Sequence, residues 1–131
     1  MVNYKGIILS LGSNIGDRET NLSLALLELA SIAQIKSVSS IYETEALLMK
    51  NQANFYNIAI EIEYTKNANN LLDEIKTIEI NLGRKKIIRY GPRIIDIDII
   101  FFRGENISTD LLTIPHYAWR ERLFVIEPLC E

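Results

Sequence analysis

A basic segment and a pair of aspartates lie next to each other around residue 90. Residues 84–93 contain five of the chain's fourteen basic residues and no acidic residue, and Asp96 and Asp98 follow within a predicted strand. Without the basic segment, nine basic residues stand against seventeen acidic ones, so the rest of the chain carries a formal charge of −8. Concentrated positive charge beside carboxylates suits a small polyanion that binds together with divalent metal, such as a nucleoside triphosphate.

The spacing of the two aspartates is suited to metal binding. Side chains two positions apart in a strand point to the same face, with Cα atoms about 6.6 Å apart. Carboxylates at this spacing can converge on two metal ions roughly 3.5 to 4 Å from each other. An isolated Asp-x-Asp pair could simply be solvated, but the basic segment and Gly91-Pro92 before it favour a metal and phosphate site. The neighbouring apolar positions divide into a core-facing set, Ile95, Ile97 and Ile99, and a set expected to flank the aspartates, Ile94, Ile100 and Phe102.

Length, composition and cysteine content restrict the class of protein. A chain of 131 residues predicts a single domain, 1–131, that is long enough to bury a core. No apolar stretch approaches the roughly 18 residues of a membrane-spanning helix, and the N-terminal apolar run is too short for a signal peptide. Cys130 is the only cysteine, which excludes an intramolecular disulfide framework and favours the cytoplasm. A net charge of −3 argues against a general nucleic-acid binder, and a monomer is the favoured oligomeric state.

Hydrophobic periodicity predicts the elements that position these residues. Four strands and two helices are expected, in the order Tyr4–Leu11 (strand), Arg18–Ala33 (helix), Ile35–Thr44 (strand), Phe55–Tyr64 (strand), Asn69–Leu82 (helix) and Ile94–Phe102 (strand). Gly83 stands where a glycine would end the second helix. The order β-α-β-β-α-β is typical of the ferredoxin-like α+β fold, an antiparallel sheet with two helices on one face. This fold hosts many functions, so the site must be argued separately.

Five stretches of the chain resemble, in order, the 6-hydroxymethyl-7,8-dihydropterin pyrophosphokinase family. They are Leu9–Asp17, Ser40–Glu45, Gln52–Asn57, Gly91–Asp98, and Ile114–His116 together with Arg120–Val125. The Gly-Pro-Arg-x-x-Asp-x-Asp element is highly specific, whereas the Gly-Ser-Asn turn alone would be weak. The resemblance implies an ATP-dependent pyrophosphokinase of folate biosynthesis, which moves the pyrophosphoryl group of ATP to the hydroxymethyl oxygen of a reduced pterin and releases AMP.

The resemblance also implies roles for individual residues. Two Mg²⁺ ions would be held by Asp96 and Asp98. Catalysis would depend on Arg84, Arg93 and Asp98. The nucleotide would be contacted by Arg84, Arg89, Tyr90, Arg93, His116, Tyr117 and Arg122. The pterin would be bound by Thr44, Phe55, Asn57, Asp96 and Phe124, with the two phenylalanines stacking on its faces.

Other interpretations of the same residues stay open at this point. Without the resemblance, His116 would more often be structural, and Phe55 and Phe124 would be ordinary core residues. A metal-dependent glycosyltransferase would also use an Asp-x-Asp pair, and a ferredoxin-like nucleotide- or RNA-binding module would use Tyr90 and the basic segment without catalysis. Because family members usually continue past the position of Glu131, a domain shortened at its C-terminus is expected.

Overall fold

The fold was determined as a computed structural model, which describes residues 5–44, 54–83 and 94–115. Seven strands and two helices lie in this part of the chain. The strands are β1 (Ile7–Ser13), β2 (Gln34–Val38), β3 (Tyr42–Thr44), β4 (Phe55–Glu63), β5 (Asp96–Phe102), β6 (Ile107–Ser108) and β7 (Thr113–Ile114). The helices are α1 (Arg18–Ala30) and α2 (Ala68–Asn81).

The main sheet has the strand order β2-β4-β1-β5, and β3 pairs with the first residues of β4. Each pairing is antiparallel. One face of this sheet packs against both helices, and the shared core contains residues such as Leu9, Ile60 and Ile99 from the strands with Leu22 and Leu71 from the helices. The predicted α+β, ferredoxin-like architecture is therefore confirmed.

The segment predicted as one strand over Ile35–Thr44 is divided into β2 and β3. Between them, the Ser39 backbone N–H donates to the Ala59 carbonyl oxygen at 2.9 Å. The Ala59 N–H does not bond to a backbone carbonyl in return but donates to Ser39 Oγ, also at 2.9 Å. The serine hydroxyl thus takes the place of a ladder carbonyl, which lets the backbone turn away before Tyr42.

A bulge in β5 changes which aromatic residue lies beside the aspartates. Ile8 of β1 pairs with Phe101 but Leu9 pairs with Ile99, so Ile100 is an extra residue between them. The alternation of β5 reverses at that point. Phe102 consequently packs in the core and Phe101 lies on the face of the aspartates, so the prediction that Phe102 flanks them is wrong.

Both helices begin at side chains that accept backbone hydrogen bonds. Asp17 Oδ1 accepts from the Thr20 N–H at 3.1 Å, and this bond lowers the pKa of Asp17. Asn67 Oδ1 accepts from the Asn70 N–H at 2.9 Å. Helix α1 ends before the predicted Ala33 because the Ser31 hydroxyl donates to the Glu28 carbonyl, which closes the last turn.

The end of α2 follows the prediction more closely. The helix stops at Asn81, and Gly83 adopts a φ of 98°, a left-handed conformation that favours glycine. Within the described ranges, no helix combines the length and apolar character that crossing a bilayer requires.

The Asn67 cap generates a test of the fold. Asn67→Ala should lower the free energy of unfolding by about 1 kcal/mol, because the Asn70 N–H loses its acceptor at the start of α2. Asn67→Asp should retain most of the stability. Urea denaturation measures the change, and Asn69→Ala, an exposed position in the same turn, is the control. A loss for Asn67→Ala no larger than that of the control would contradict the assigned cap.

Candidate functional site

One row of residues crosses four strands near one end of the sheet. Tyr42 pairs with Asn57, Asn57 pairs with Gly12, and Gly12 pairs with Asp96. Residues paired across an antiparallel sheet share a face, and here it is the face opposite the helices. We call the surface formed by Asn57, Gly12 and Asp96 the outer row. It places an amide and a carboxylate on either side of a residue without a side chain.

Asn57 is held by hydrogen bonds from its amide nitrogen. Nδ2 donates to Thr44 Oγ1 at 2.8 Å and to the Tyr42 carbonyl oxygen at 3.3 Å, with a longer contact of 3.5 Å to the Phe55 carbonyl oxygen. Because the amide hydrogens are directed toward β3 and β4, the carbonyl oxygen Oδ1 is directed over Gly12. The site therefore presents a fixed acceptor at a half-buried position.

Gly12 is required by the close approach of two side chains. A Cβ atom added there would lie 2.9 Å from Asn57 Oδ1 and 3.3 Å from Phe55 Cδ1. The first distance is too short for any Cβ contact, so a larger residue would displace the Asn57 amide. Sequence analysis identified Gly12 only as part of a turn. The role of Gly12 in the site depends on its pairing with Asn57, and only the register of the strands shows that pairing.

The start of β4 is braced from two sides. The Arg18 guanidinium donates from Nη1 to the Asn54 carbonyl oxygen at 2.8 Å and stacks on the Tyr56 ring, with Cζ 3.8 Å from the ring centroid. Asn54 Nδ2 donates to Glu43 Oε2 of β3 at 3.1 Å. Phe55 lies between Asn54 and Tyr56, so these contacts also hold its backbone next to the outer row. Arg18 had no functional prediction.

The two aspartates occupy neighbouring rows. Asp96 pairs with Gly12 and Asp98 pairs with Ser10, and both side chains are half-buried. Between them, Ile97 is buried on the helix face. The Ile97 N–H donates to Glu79 Oε2 of α2 at 2.9 Å. Glu79 was not predicted as a site residue, although an acid among the core positions Ile75 and Ile78 of the helical pattern was a signal for it.

Of the predicted site residues, five lie in the described part of the chain. Thr44, Phe55, Asn57, Asp96 and Asp98 all lie on the face opposite the helices, by register. The remaining predicted residues lie outside the described residues; they are Arg84, Arg89, Tyr90, Arg93, His116, Tyr117, Arg122 and Phe124.

A concave surface of about 770 Å³ lies at the opposite end of the sheet. Its lining includes Lys5, Gln34, Glu63 and Arg103. None of the predicted site residues lines it, and its charged groups are of mixed sign. We therefore locate the candidate site at the outer row and the neighbouring Asp98, where an oriented amide and two carboxylates share one face of the sheet.

Fold and site together define a class: a ferredoxin-like domain with an oriented amide and a carboxylate pair on the sheet face opposite its helices. The model of the 7,8-dihydro-6-hydroxymethylpterin-pyrophosphokinase (HPPK) family matches residues 8–131. The chain belongs to this family, as the sequence resemblance predicted.

Two bacterial relatives have the same printed name, 2-amino-4-hydroxy-6-hydroxymethyldihydropteridine pyrophosphokinase. That of Bacillus subtilis (strain 168) is 47% identical over 125 residues, which cover 94% of this chain and 75% of the relative. That of Aquifex aeolicus (strain VF5) is 38% identical over 125 residues, which cover 95% of this chain and 78% of the relative.

A solved structure supports the fold assignment independently. It is described as a crystal structure analysis of HPPK-DHPS in complex with substrates, and it matches with a TM-score of 0.65 over 94% of this chain. The match covers 39% of that longer chain at 16% sequence identity, so it supports the fold alone.

The close approach at Gly12 generates a test of the site geometry. Gly12→Ala should destabilise the fold by about 1 to 3 kcal/mol, because the added methyl group overlaps the Asn57 amide. The side-chain amide signals of Asn57 should shift in ¹⁵N NMR spectra, whereas those of the distant, exposed Asn70 should not.

A double-mutant cycle identifies the cause. In an Asn57→Ala background, Gly12→Ala should cost much less, because the nearest overlapping atom is gone. An equal cost in both backgrounds would show that the strain at Gly12 arises elsewhere.

Proposed function

We propose that the chain transfers a pyrophosphoryl group from ATP to the hydroxymethyl group of 6-hydroxymethyl-7,8-dihydropterin, releasing AMP, in folate biosynthesis. The single observation that carries the proposal is the outer row, which brings the Asn57 amide and the Asp96 carboxylate to either side of Gly12. Adjacent strands are about 4.8 Å apart, so these two residues lie roughly 10 Å from each other. Membership of the family and the names of the bacterial relatives support the same reaction.

The Asn57 side of the row suits the pterin. A pterin is a flat bicycle with hydrogen-bond donors and acceptors on one edge, and it needs an aromatic face and a few fixed polar groups. Asn57 Oδ1 is oriented by the Thr44 bond and can accept from a ring or exocyclic N–H. Phe55 lies beside Gly12 and supplies an aromatic surface, and Phe124 is proposed as the second ring.

The Asp96 side of the row suits metal and phosphate. Mg²⁺ is usually held by one or two carboxylates together with substrate phosphates, and the half-buried pair Asp96 and Asp98 is such a donor set. Two bound Mg²⁺ ions would supply charge neutralisation for the triphosphate. We propose that the nucleotide is contacted by residues in the two remaining segments, namely Arg84, Arg89, Tyr90, Arg93, His116, Tyr117 and Arg122.

In the proposed step, the hydroxymethyl oxygen attacks the β-phosphorus of ATP and its proton passes to solvent. The bond between the β-phosphorus and the oxygen that bridges to the α-phosphorus breaks, and AMP leaves. The Asn57 and Phe55 side chains orient the pterin, so the attacking oxygen is positioned before reaction. Arg84 and Arg93 are proposed to stabilise the negative charge that develops on the phosphates.

The site takes small molecules, ATP and a reduced pterin. A single domain over 1–131, a monomeric state and a cytoplasmic location stay predictions from the sequence. The glycosyltransferase alternative would need a nucleotide sugar, and the binding-module alternative leaves the carboxylate pair unexplained. The products separate all three.

The bond that breaks can be identified directly. Phosphorus NMR of a complete reaction with ATP, Mg²⁺ and the hydroxymethyl pterin should show AMP and a pterin diphosphate in equal amounts. An ordinary kinase would attack the γ-phosphorus, so stoichiometric ADP with a pterin monophosphate would overturn the proposal. Absence of any pterin-dependent ATP consumption would favour a binding module.

The carboxylate pair can be tested without changing side-chain shape. Asp96→Asn and Asp98→Asn should each lower kcat by more than about 100-fold, because an amide is a poor magnesium ligand. Circular dichroism should show an intact fold in both. Asp110→Asn, which neutralises an exposed aspartate in the connection between β6 and β7, is the matched control and should turn over normally. Near-normal turnover of either site variant at saturating Mg²⁺ would remove that residue from the mechanism.

A further inference from the structure

Glu79 is a buried carboxylate that the proposed reaction does not use. It is 6% exposed and lies in the last turn of α2, which ends at Asn81. Its neighbours on the buried face of the helix include Ile75 and Ile78. Of the described residues that are buried, it is the only one with a charged side chain.

The position of Glu79 is unfavourable for a carboxylate on two counts. Burial removes a charged group from water, and this is costly unless the charge is well paired. The C-terminal turn of a helix carries a partial negative charge, so an acid there is repelled. A neutral or apolar side chain would suit the helix better. The reason for a carboxylate at this position must therefore lie in what it contacts.

Glu79 Oε2 accepts the N–H of Ile97 at 2.9 Å, in a bond that is buried. Among the strands of the described residues, β5 lies at the end of the order and pairs with β1. In an antiparallel pair only alternate residues direct their N–H groups at the partner strand, so the other amides of an edge strand need acceptors from elsewhere. Glu79 is the acceptor for the amide that lies between the two aspartates.

The bond acts on the backbone that carries both carboxylates. The N–H of Ile97 belongs to the peptide unit that joins Asp96 to Ile97, and Asp98 follows directly. Fixing the plane of that peptide restricts the Cα–Cβ direction of Asp96 directly, and it restricts that of Asp98 through the strand backbone of Ile97 that joins them. Asp96 is the first residue of β5, so the strand needs such a constraint where it begins.

We propose that Glu79 is a positioning residue that fixes the Asp96–Ile97 peptide and thereby sets the two carboxylates at the geometry that binds Mg²⁺ with the nucleotide. The inference rests on the proposed function of the aspartate pair. Glu79 acts from the helix side, where its carboxylate accepts the Ile97 N–H.

Two substitutions separate the hydrogen bond from the charge. Glu79→Gln and Glu79→Leu both remove the negative charge, but only Glu79→Leu removes the acceptor for Ile97. Calorimetric titration of Mg²⁺ with a nonhydrolysable ATP analogue should show binding weakened about tenfold or more in Glu79→Leu and less than threefold in Glu79→Gln. Equal weakening in both variants, or none in either, would overturn the proposal.

Two controls distinguish positioning from general stability. Ile78→Val removes a buried methyl group from the same helix turn and should lower the melting temperature without changing Mg²⁺ affinity. Asp73→Asn neutralises an exposed acid of α2 and should change neither. If Glu79→Leu does not fold, Glu79→Asp decides, because it keeps the charge but withdraws the acceptor from the Ile97 N–H by one methylene: weakened Mg²⁺ binding supports the inference, and native affinity contradicts it.

Measurements of ligand binding and AMP formation by the native chain distinguish failure of this inference from failure of the proposed reaction. Native chain that binds Mg²⁺ and nucleotide but yields no AMP would refute the reaction, while a Glu79→Leu defect in binding would still support the positioning role. Native chain that forms AMP with unchanged Mg²⁺ affinity in both Glu79 variants would refute the positioning role alone.

Discussion

The register of β1 between β4 and β5 is the constraint on which the rest of the site depends. Gly12 pairs with Asn57 on one side and with Asp96 on the other, so one backbone position sets the distance between the amide and the carboxylate. A shift by one residue would turn the side chains of β1 to the opposite face. The apolar residues Leu9 and Leu11, fully buried against the helices, prevent that shift. The hydrophobic core therefore determines the geometry of a polar site on the other side of the sheet.

The site is supported by contacts that come from outside the sheet. Arg18 of α1 holds the start of β4, and Glu79 of α2 holds the start of β5. Each helix thus contributes one charged side chain to a strand end, in addition to its apolar face. Since the strands that carry Asn57 and Asp96 are each held by a different helix, the relative placement of α1 and α2 bears on the spacing between the two halves of the site.

Family membership gives these contacts a chemical purpose. A pyrophosphokinase must hold a pterin and a triphosphate so that an oxygen of one faces a phosphorus of the other, and it has little covalent chemistry of its own to perform. Rigid placement of the acceptor amide and of the carboxylates is then the main contribution of the fold. The use of Gly12, a residue with no side chain, between the two halves follows from the close approach of Asn57 and Phe55.

The sequence by itself determined the family, the order of the main elements and the shared face of Asp96 and Asp98, because these follow from local motifs, hydrophobic period and strand alternation. Only the tertiary structure decided the division of Ile35–Thr44 into two strands, the bulge at Ile100 and the roles of Gly12 and Glu79. Each of these depends on a partner distant in the chain: Ala59 for Ser39, Ile8 and Leu9 for the bulge, Asn57 for Gly12, and Ile97 for Glu79. Periodicity reports which face of an element is buried, but it carries no information about which backbone group of another element lies opposite.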